Sequence, residues 1–234
     1  VTVIRVIDFE TTGIPSEADK HAICEIGWCD VTMDSGGAVA IGDPSSTLVD
    51  PGRPISVEAM AVHHIRDAEV AGKRPAVEVL AGLCHGTDVF VAHKADFEQS
   101  FFDGLGRPFV CSYKSALRVW PDAPTHSNQV LRYWLGIELD PALALPAHRA
   151  GPDAYVTAHI LSALLARCSL EDMIRWSAGP ALLVTCYLKK HRGVKWKDVP
   201  ADYLRWVAEN ITDDRDIRAT AKYWLRAATS GAAP

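Results

Sequence analysis

The stretch Val3-Ile4-Arg5-Val6-Ile7-Asp8-Phe9-Glu10-Thr11-Thr12-Gly13 decides how the rest of the chain is read. Val3 to Phe9 is a short, β-branched apolar run, the pattern of a buried strand. Side chains two apart on a strand share a face. Asp8 and Glu10 therefore project together from a strand that is otherwise apolar. Two like charges so placed repel and lose hydration, which is costly unless a cation lies between them. Mg²⁺ or Mn²⁺, which prefer carboxylate oxygens and water, resolve that conflict. An isolated D-x-E more often just reaches solvent, so the pair needs support from elsewhere.

Outward from this strand, His21 to Val31 reads as a second strand and Ser46 to Val49 as a third, beyond a Gly36-Gly37 turn. Ser56 to Leu83 carries helix-period apolar positions, with Pro75 at a helix start. Asp88 to His93 is another buried strand, followed by a helix through Phe97, Phe101 and Phe102, and Phe109 to Cys111 is short and strand-like. Helices are expected at Lys114 to Trp120, Ser127 to Leu135 and Pro152 to Arg167. Successive strands followed by alternating strands and helices predict an α/β fold, a mixed sheet with helices on its faces.

Two further places carry acids next to histidine. His93-Lys94-Ala95-Asp96-Phe97-Glu98 follows the end of a hydrophobic strand, and His148-Arg149-Ala150-Gly151-Pro152-Asp153 leads into an amphipathic helix. Each has an ordinary explanation: acids favour the first turn of a helix and Pro suits its first position. Their order along the chain is what carries weight.

D-x-E-x-T-G on a strand, then H-x-A-x-F-acid, then H-x-x-x-x-D opening a helix resembles the DEDDh (DnaQ-like) 3′→5′ exonuclease family. The resemblance runs from about Val3 to Ala166 and includes AVHHIRD at Ala61 to Asp67 and HSNQVLRYWLGI at His126 to Ile137. It implies a ribonuclease H-like fold and a site for two Mg²⁺ or Mn²⁺ ions. Asp8, Glu10 and Asp153 would hold the metals, with His148 as general base. Thr11, Thr12 and Gly13 would line the pocket for the terminal nucleotide, and His63 to Ile65 would approach its base or sugar, with His93 among the substrate-binding residues. The second motif departs from the family's H-N-A-x-F-D. Lys94 replaces Asn, and Glu98 stands where the family has its catalytic Asp. Glu98 keeps the charge and is favoured as the fourth ligand over Asp96.

The chain has 234 residues and a net charge of −5, which at first argues against a nucleic-acid partner. The charge is unevenly placed. Residues 1–170 hold 13 Lys/Arg against 21 Asp/Glu, whereas residues 185–226 hold 10 against 6. The expected division is therefore a nuclease domain over 1–169 and a small basic module over 170–234. The module's His191 to Pro200 and Asp202 to Trp206 are similar to the C-terminal module of bacterial exonuclease X-like proteins. There Lys195, Trp196 and Lys197 are the expected contacts, and Trp206 and Trp224 are expected in the core. No apolar run approaches the roughly 20 residues of a membrane span, and no signal peptide is expected. Six scattered cysteines without a C-x-x-C pair point to a reducing cytoplasm.

The expected activity is hydrolysis of DNA, at single-stranded 3′ ends, to 5′-mononucleotides. An exoribonuclease, a binding protein with a weakened site, and a nucleotide phosphohydrolase are the competing readings. Oligomeric state has no signature in the sequence.

Overall fold

The computed structural model describes residues 1–14 and 19–230; residues 15–18 and 231–234, which the two expected domains include, lie outside the described residues. The opening stretch forms β1 (Thr2–Thr11), the central strand of a mixed sheet. It pairs antiparallel with β2 (Ile23–Met33), which also carries the short β3 (Val39–Ile41) and β4 (Ser45–Leu48). On its other side β1 runs parallel to β5 (Val89–Ala92), and β5 to β6 (Phe109–Cys111). β3 is a strand that the periodicity did not announce: three residues beside two glycines are too few to show alternation.

The segment Ser56 to Leu83 is three short helices, α1 (Val57–His63), α2 (Asp67–Val70) and α3 (Ala76–Leu83). His64 ends α1 in the left-handed region at φ 61°, and Gly72 turns the chain after α2 at φ 69°. The helix expected through Phe97 and Phe101 is only a 3₁₀ turn at Glu98–Ser100, because Gly104 breaks the chain at φ 77° and Phe102 is drawn into the core. There follow α4 (Ser112–Val119), α5 (Asn128–Trp134), α6 (Pro141–Ala144), α7 (Ala150–Leu165) and α8 (Leu170–Ser177).

Alternation along β1 sorts the two faces of the sheet. Ile4 and Val6 face a core built with Ala154, Val156, Ala158 and Leu161 of α7. Ile7 and Phe9 face a second core with Val79 and Leu80 of α3, and with Phe90. Asp8 and Glu10 continue the parity of Ile4 and Val6, so they emerge on the α7 side. Gly27 of β2, paired with Asp8, lets α7 come this close, since a Cβ there would sit 2.1 Å from the carbonyl carbon of Ala150. Gly27→Ala is expected to push the start of α7 outward and lower activity by about 100-fold, as a displacement of about 1 Å at a reacting centre does. Steady-state kinetics on an oligonucleotide, beside a circular dichroism spectrum, tests this.

Helix α8 was expected in the C-terminal module. Its Leu170 and Met173 instead pack into the α7 core, and Ser177 binds the backbone N–H of Cys111 at 2.7 Å. A separate small core begins later, where Cys186, Trp196 and Val199 pack against α9 (Ala201–Asn210) and α10 (Arg215–Ser230). Trp196 is fully buried, whereas Trp206 is 49% exposed, which reverses the expectation for both. A 3₁₀ turn at Trp196–Asp198 points the first ring inward. The second lies two residues after the buried Leu204, about 200° around the helix from it. Trp224 packs partly buried against this small core, as expected. Among the described residues no helix is long and apolar enough to cross a membrane.

Candidate active site

Carboxylate oxygens of Asp8, Glu10 and Asp153 lie within 4.8 Å of one another. The strand supplies the first two and the opening turn of α7 the third, so residues 143 positions apart meet where β1 ends and α7 begins. Asp153 is already oriented. One of its oxygens accepts the His148 N–H at 2.8 Å, and the other accepts Gln129 Nε2 at 3.2 Å. His148 sits in the left-handed region at φ 61°, a strained position for a non-glycine residue, and its exposed side chain borders the same pocket.

The electrostatics of the cluster are those of crowded anions. Burial, then the charges of Glu98, Asp153 and Glu10, hold the Asp8 carboxyl well above the usual range. Burial and the same neighbourhood of carboxylates push Glu10 up to about 8. Burial raises Asp153 also, against the lowering effect of its hydrogen bonds. Glu98 is 3% exposed, is pushed by burial up to about 8, and carries a buried oxygen, Oε2, with no hydrogen-bond partner. Glu98 lies outside the group within 4.8 Å but lines the same pocket and acts by its charge on Asp8, so a buried oxygen without a donor there fits a cation as partner. The donor set is all oxygen and suits a hard divalent ion.

Asp96, the other candidate beside Glu98, is turned elsewhere. It pairs with Lys114 at 2.8 Å and with Arg215 of α10 at 3.5 Å. The pocket itself measures 650 Å³, and its walls include Thr11, Gly13, His63, Phe97 and Ile14. Other expected substrate residues lie outside these walls. Thr12 is buried, with its hydroxyl on His21 Nδ1 at 3.1 Å and on the Ala22 N–H at 3.0 Å. Ile65 is 1% exposed in a small core with Cys24, Ile55 and Val70. His93 holds Ser112 Oγ at 2.9 Å and the His126 carbonyl at 2.8 Å, and burial drives its pKa down to about 4. Both of its ring nitrogens are therefore engaged within the protein. His63 reaches the pocket with a fixed ring: Nε2–H donates to the Thr11 carbonyl at 3.2 Å and Nδ1 accepts from the Ile65 N–H at 3.0 Å.

A pair that the sequence reading passed over braces the site. Glu25 of β2, opposite Glu10, is 1% exposed. It accepts Arg149 Nε at 2.9 Å and Nη2 at 2.8 Å, the Ala150 N–H at 3.1 Å and the Ser46 hydroxyl at 3.1 Å. Burial raises its pKa, but the Arg149 fork and the two other donors outweigh that and hold it below the usual range. Its signal was a charged residue in the apolar run Ile23-Cys24-Glu25-Ile26. Because Arg149 lies between His148 and α7, the clamp anchors both. Arg149→Ala is expected to destabilise the fold by about 2 kcal/mol, since it strands the buried Glu25 carboxylate, and by less than a fully buried pair because the Arg149 side chain is 36% exposed. Denaturant unfolding measures it, and unchanged stability would remove the clamp from the account.

Residues 6–161 match the family described as Exonuclease. Exodeoxyribonuclease 10 of Escherichia coli strain K12 is 33% identical over 229 residues, covering 95% of this chain and 99% of that protein. A solved structure of exonuclease X in complex with 5′ overhanging duplex DNA has a TM-score of 0.64 at 32% identity, covering 74% of this chain and 99% of that one. The nuclease domain of 3′hExo, a DEDDh family member bound to rAMP, shares the fold at a TM-score of 0.53 and 17% identity, covering 70% of this chain and 92% of that one. The fold is thus ribonuclease H-like, and the chain belongs to the exonuclease family, whose members use divalent metal ions.

Proposed function

We propose that this protein hydrolyses DNA from its 3′ end, with Asp8, Glu10, Asp153 and Glu98 holding two Mg²⁺ or Mn²⁺ ions and His148 serving as general base. The observation that carries the reading is the convergence of three carboxylates within 4.8 Å beside the unpartnered Glu98 oxygen. When bound, the ions supply a water of lowered pKa and a counter-charge for the departing oxygen. The chain's own residues do the rest. Thr11, Gly13 and His63 hold the terminal nucleotide in the pocket, whose mouth is rimmed by exposed Ile14 and Val62. His148, whose backbone N–H holds Asp153 and whose side chain borders the pocket, takes a proton at an imidazole nitrogen from the attacking water. The water oxygen bonds to phosphorus, the bond to the 3′ oxygen of the preceding nucleotide breaks, and that oxygen takes a proton from solvent to become a 3′-hydroxyl, which releases a 5′-mononucleotide.

Single-stranded 3′ ends are the substrate in this reading, supported by Thr11, Gly13 and His63 lining one pocket with the carboxylates. DNA is preferred over RNA in this reading because the relative that matches nearly end to end is named an exodeoxyribonuclease. A reducing, cytoplasmic setting belongs to the same proposal, supported by thiols that are free and mostly buried. So does a division into a nuclease domain and a basic C-terminal module, supported by the separate core around Trp196.

Matched DNA and RNA oligonucleotides labelled at the 3′ end, run in parallel with Mg²⁺ and with Mn²⁺, test the substrate. Faster release from DNA is expected. Preference for RNA would replace the substrate, and no release from either would leave a binding protein whose site Glu98 has weakened.

A further inference from the structure

The C-terminal module carries a half-open aromatic stack that the carboxylate site does not use. Tyr203 is nearly buried, with His191 against it at 4.5 Å between ring centres and Trp206 stacked on it at 5.5 Å and 17°. Lys190 Nζ stands 5.1 Å from the centre of the Tyr203 ring. The stack ends in solvent, because Trp206 is 49% exposed. Lys190, Tyr203 and Trp206, with Leu188, Lys189 and Ile211, line an open groove of 920 Å³.

Trp206 leaves about half its ring in water, as several other aromatic rings here do, but its neighbours give this groove a sign. Residues 187–206 contain six Lys/Arg and two Asp, one of which, Asp202, lines the groove. Lys195 is engaged by Asp122, whereas no acid is paired with Lys189 or Lys190 among the described residues. An exposed indole face beside ammonium groups matches a nucleotide, which offers a flat base and an anionic phosphate together. The module is also tied to the nuclease site, since Arg215 of α10 reaches Asp96, two residues before Glu98.

We propose that the Tyr203–Trp206 stack, flanked by Lys189 and Lys190, is a second contact for single-stranded DNA. A base stacks on Trp206 and the lysines meet neighbouring phosphates. The proposal takes the class of ligand from the exonuclease reading, but binding is read without hydrolysis, so the two can fail separately.

The experiment measures affinity for an oligothymidylate of about 20 nucleotides by fluorescence anisotropy, in the full chain made inactive by Asp8→Asn. Trp206→Ala is expected to weaken binding about tenfold, and Trp206→Phe to restore most of it, because stacking needs only an aromatic face. Lys189→Ala with Lys190→Ala is expected to flatten the dependence of log affinity on log salt by about 1.4, the share of two phosphate contacts on a single strand. Unchanged affinity in Trp206→Ala, no recovery in Trp206→Phe, or an unchanged salt slope would each overturn the assignment. So would a shift of Trp206→Ala from dimer to monomer in sedimentation with DNA affinity intact, since the ring would then serve a second copy of the chain.

Discussion

Asp8→Asn is expected to lower hydrolysis about a thousandfold while making the metal-free protein more stable. The two effects have one cause. Asp8 lies in the middle of the cluster, where burial and the charges of Glu98, Asp153 and Glu10 all act against its ionised form. An amide in its place removes that repulsion without changing the shape. Sites assembled for chemistry commonly give up stability in this way, and the gain expected here is about 1 kcal/mol. For a chain of this length that corresponds to a melting temperature about 2–4 °C higher in the presence of a chelator. The same amide is a poor metal ligand. Losing one ion's contribution to the transition state, about 4 kcal/mol, reduces the rate by about three powers of ten. An ordinary destabilising substitution would lower both quantities. A variant that lost activity and stability together would show that Asp8 supports the fold and does not serve the chemistry.

Divalent metal is expected to raise the melting temperature by about 5–10 °C, and more at pH 8 than at pH 5. A ligand that binds only the folded chain at about 100 times its dissociation constant adds about 2.7 kcal/mol, which for this length gives a shift of that size. The pH dependence follows from Glu10, whose carboxyl is raised from 4.5 to about 8 by burial and its acidic neighbours. A carboxyl raised in the folded state contributes stability that is complete below its unfolded value and is lost as pH rises through the folded one. The metal-free protein therefore loses stability between pH 4.5 and about 8 through this group. Glu98, pushed by burial up to about 8, contributes with the same sign. Glu25 acts in the opposite sense, because its pairing with Arg149 is lost only on acidification. The melting temperatures of wild type and Asp8→Asn, compared across this window with chelator and with Mg²⁺, isolate the cluster from Glu25. A metal-induced shift no larger at pH 8 than at pH 5 would mean that the carboxylates are not what the metal neutralises.

Much of this arrangement was legible because it follows local rules. Alternation along Ile4, Val6, Asp8 and Glu10 places both acids on one face before any partner is known. Pro152 and Asp153 mark the start of α7 by composition alone, and the structure begins that helix at Ala150. What was not legible depends on partners distant in sequence. The Glu25–Arg149 clamp joins residues 124 apart, and only the register that sets Glu25 against Glu10 brings them together. The role of Gly27 is hidden for the same reason, since the crowding comes from Ala150. His93 looked like a site residue beside the second motif, but its two nitrogens are taken by Ser112 and His126. Trp196 and Trp206 exchanged their expected places because periodicity describes a helix, and Trp196 sits in a 3₁₀ turn before one.

The most direct measurement follows a single-stranded DNA oligonucleotide labelled at its 5′ end, incubated with the purified protein and Mg²⁺ and resolved by length over time. The account predicts a ladder that shortens one nucleotide at a time from the 3′ end, with 5′-mononucleotides as the product. It predicts that the ladder disappears with chelator and in Asp8→Asn. Immediate release of the labelled 5′ nucleotide, internal fragments without a ladder, or full activity in Asp8→Asn would contradict it.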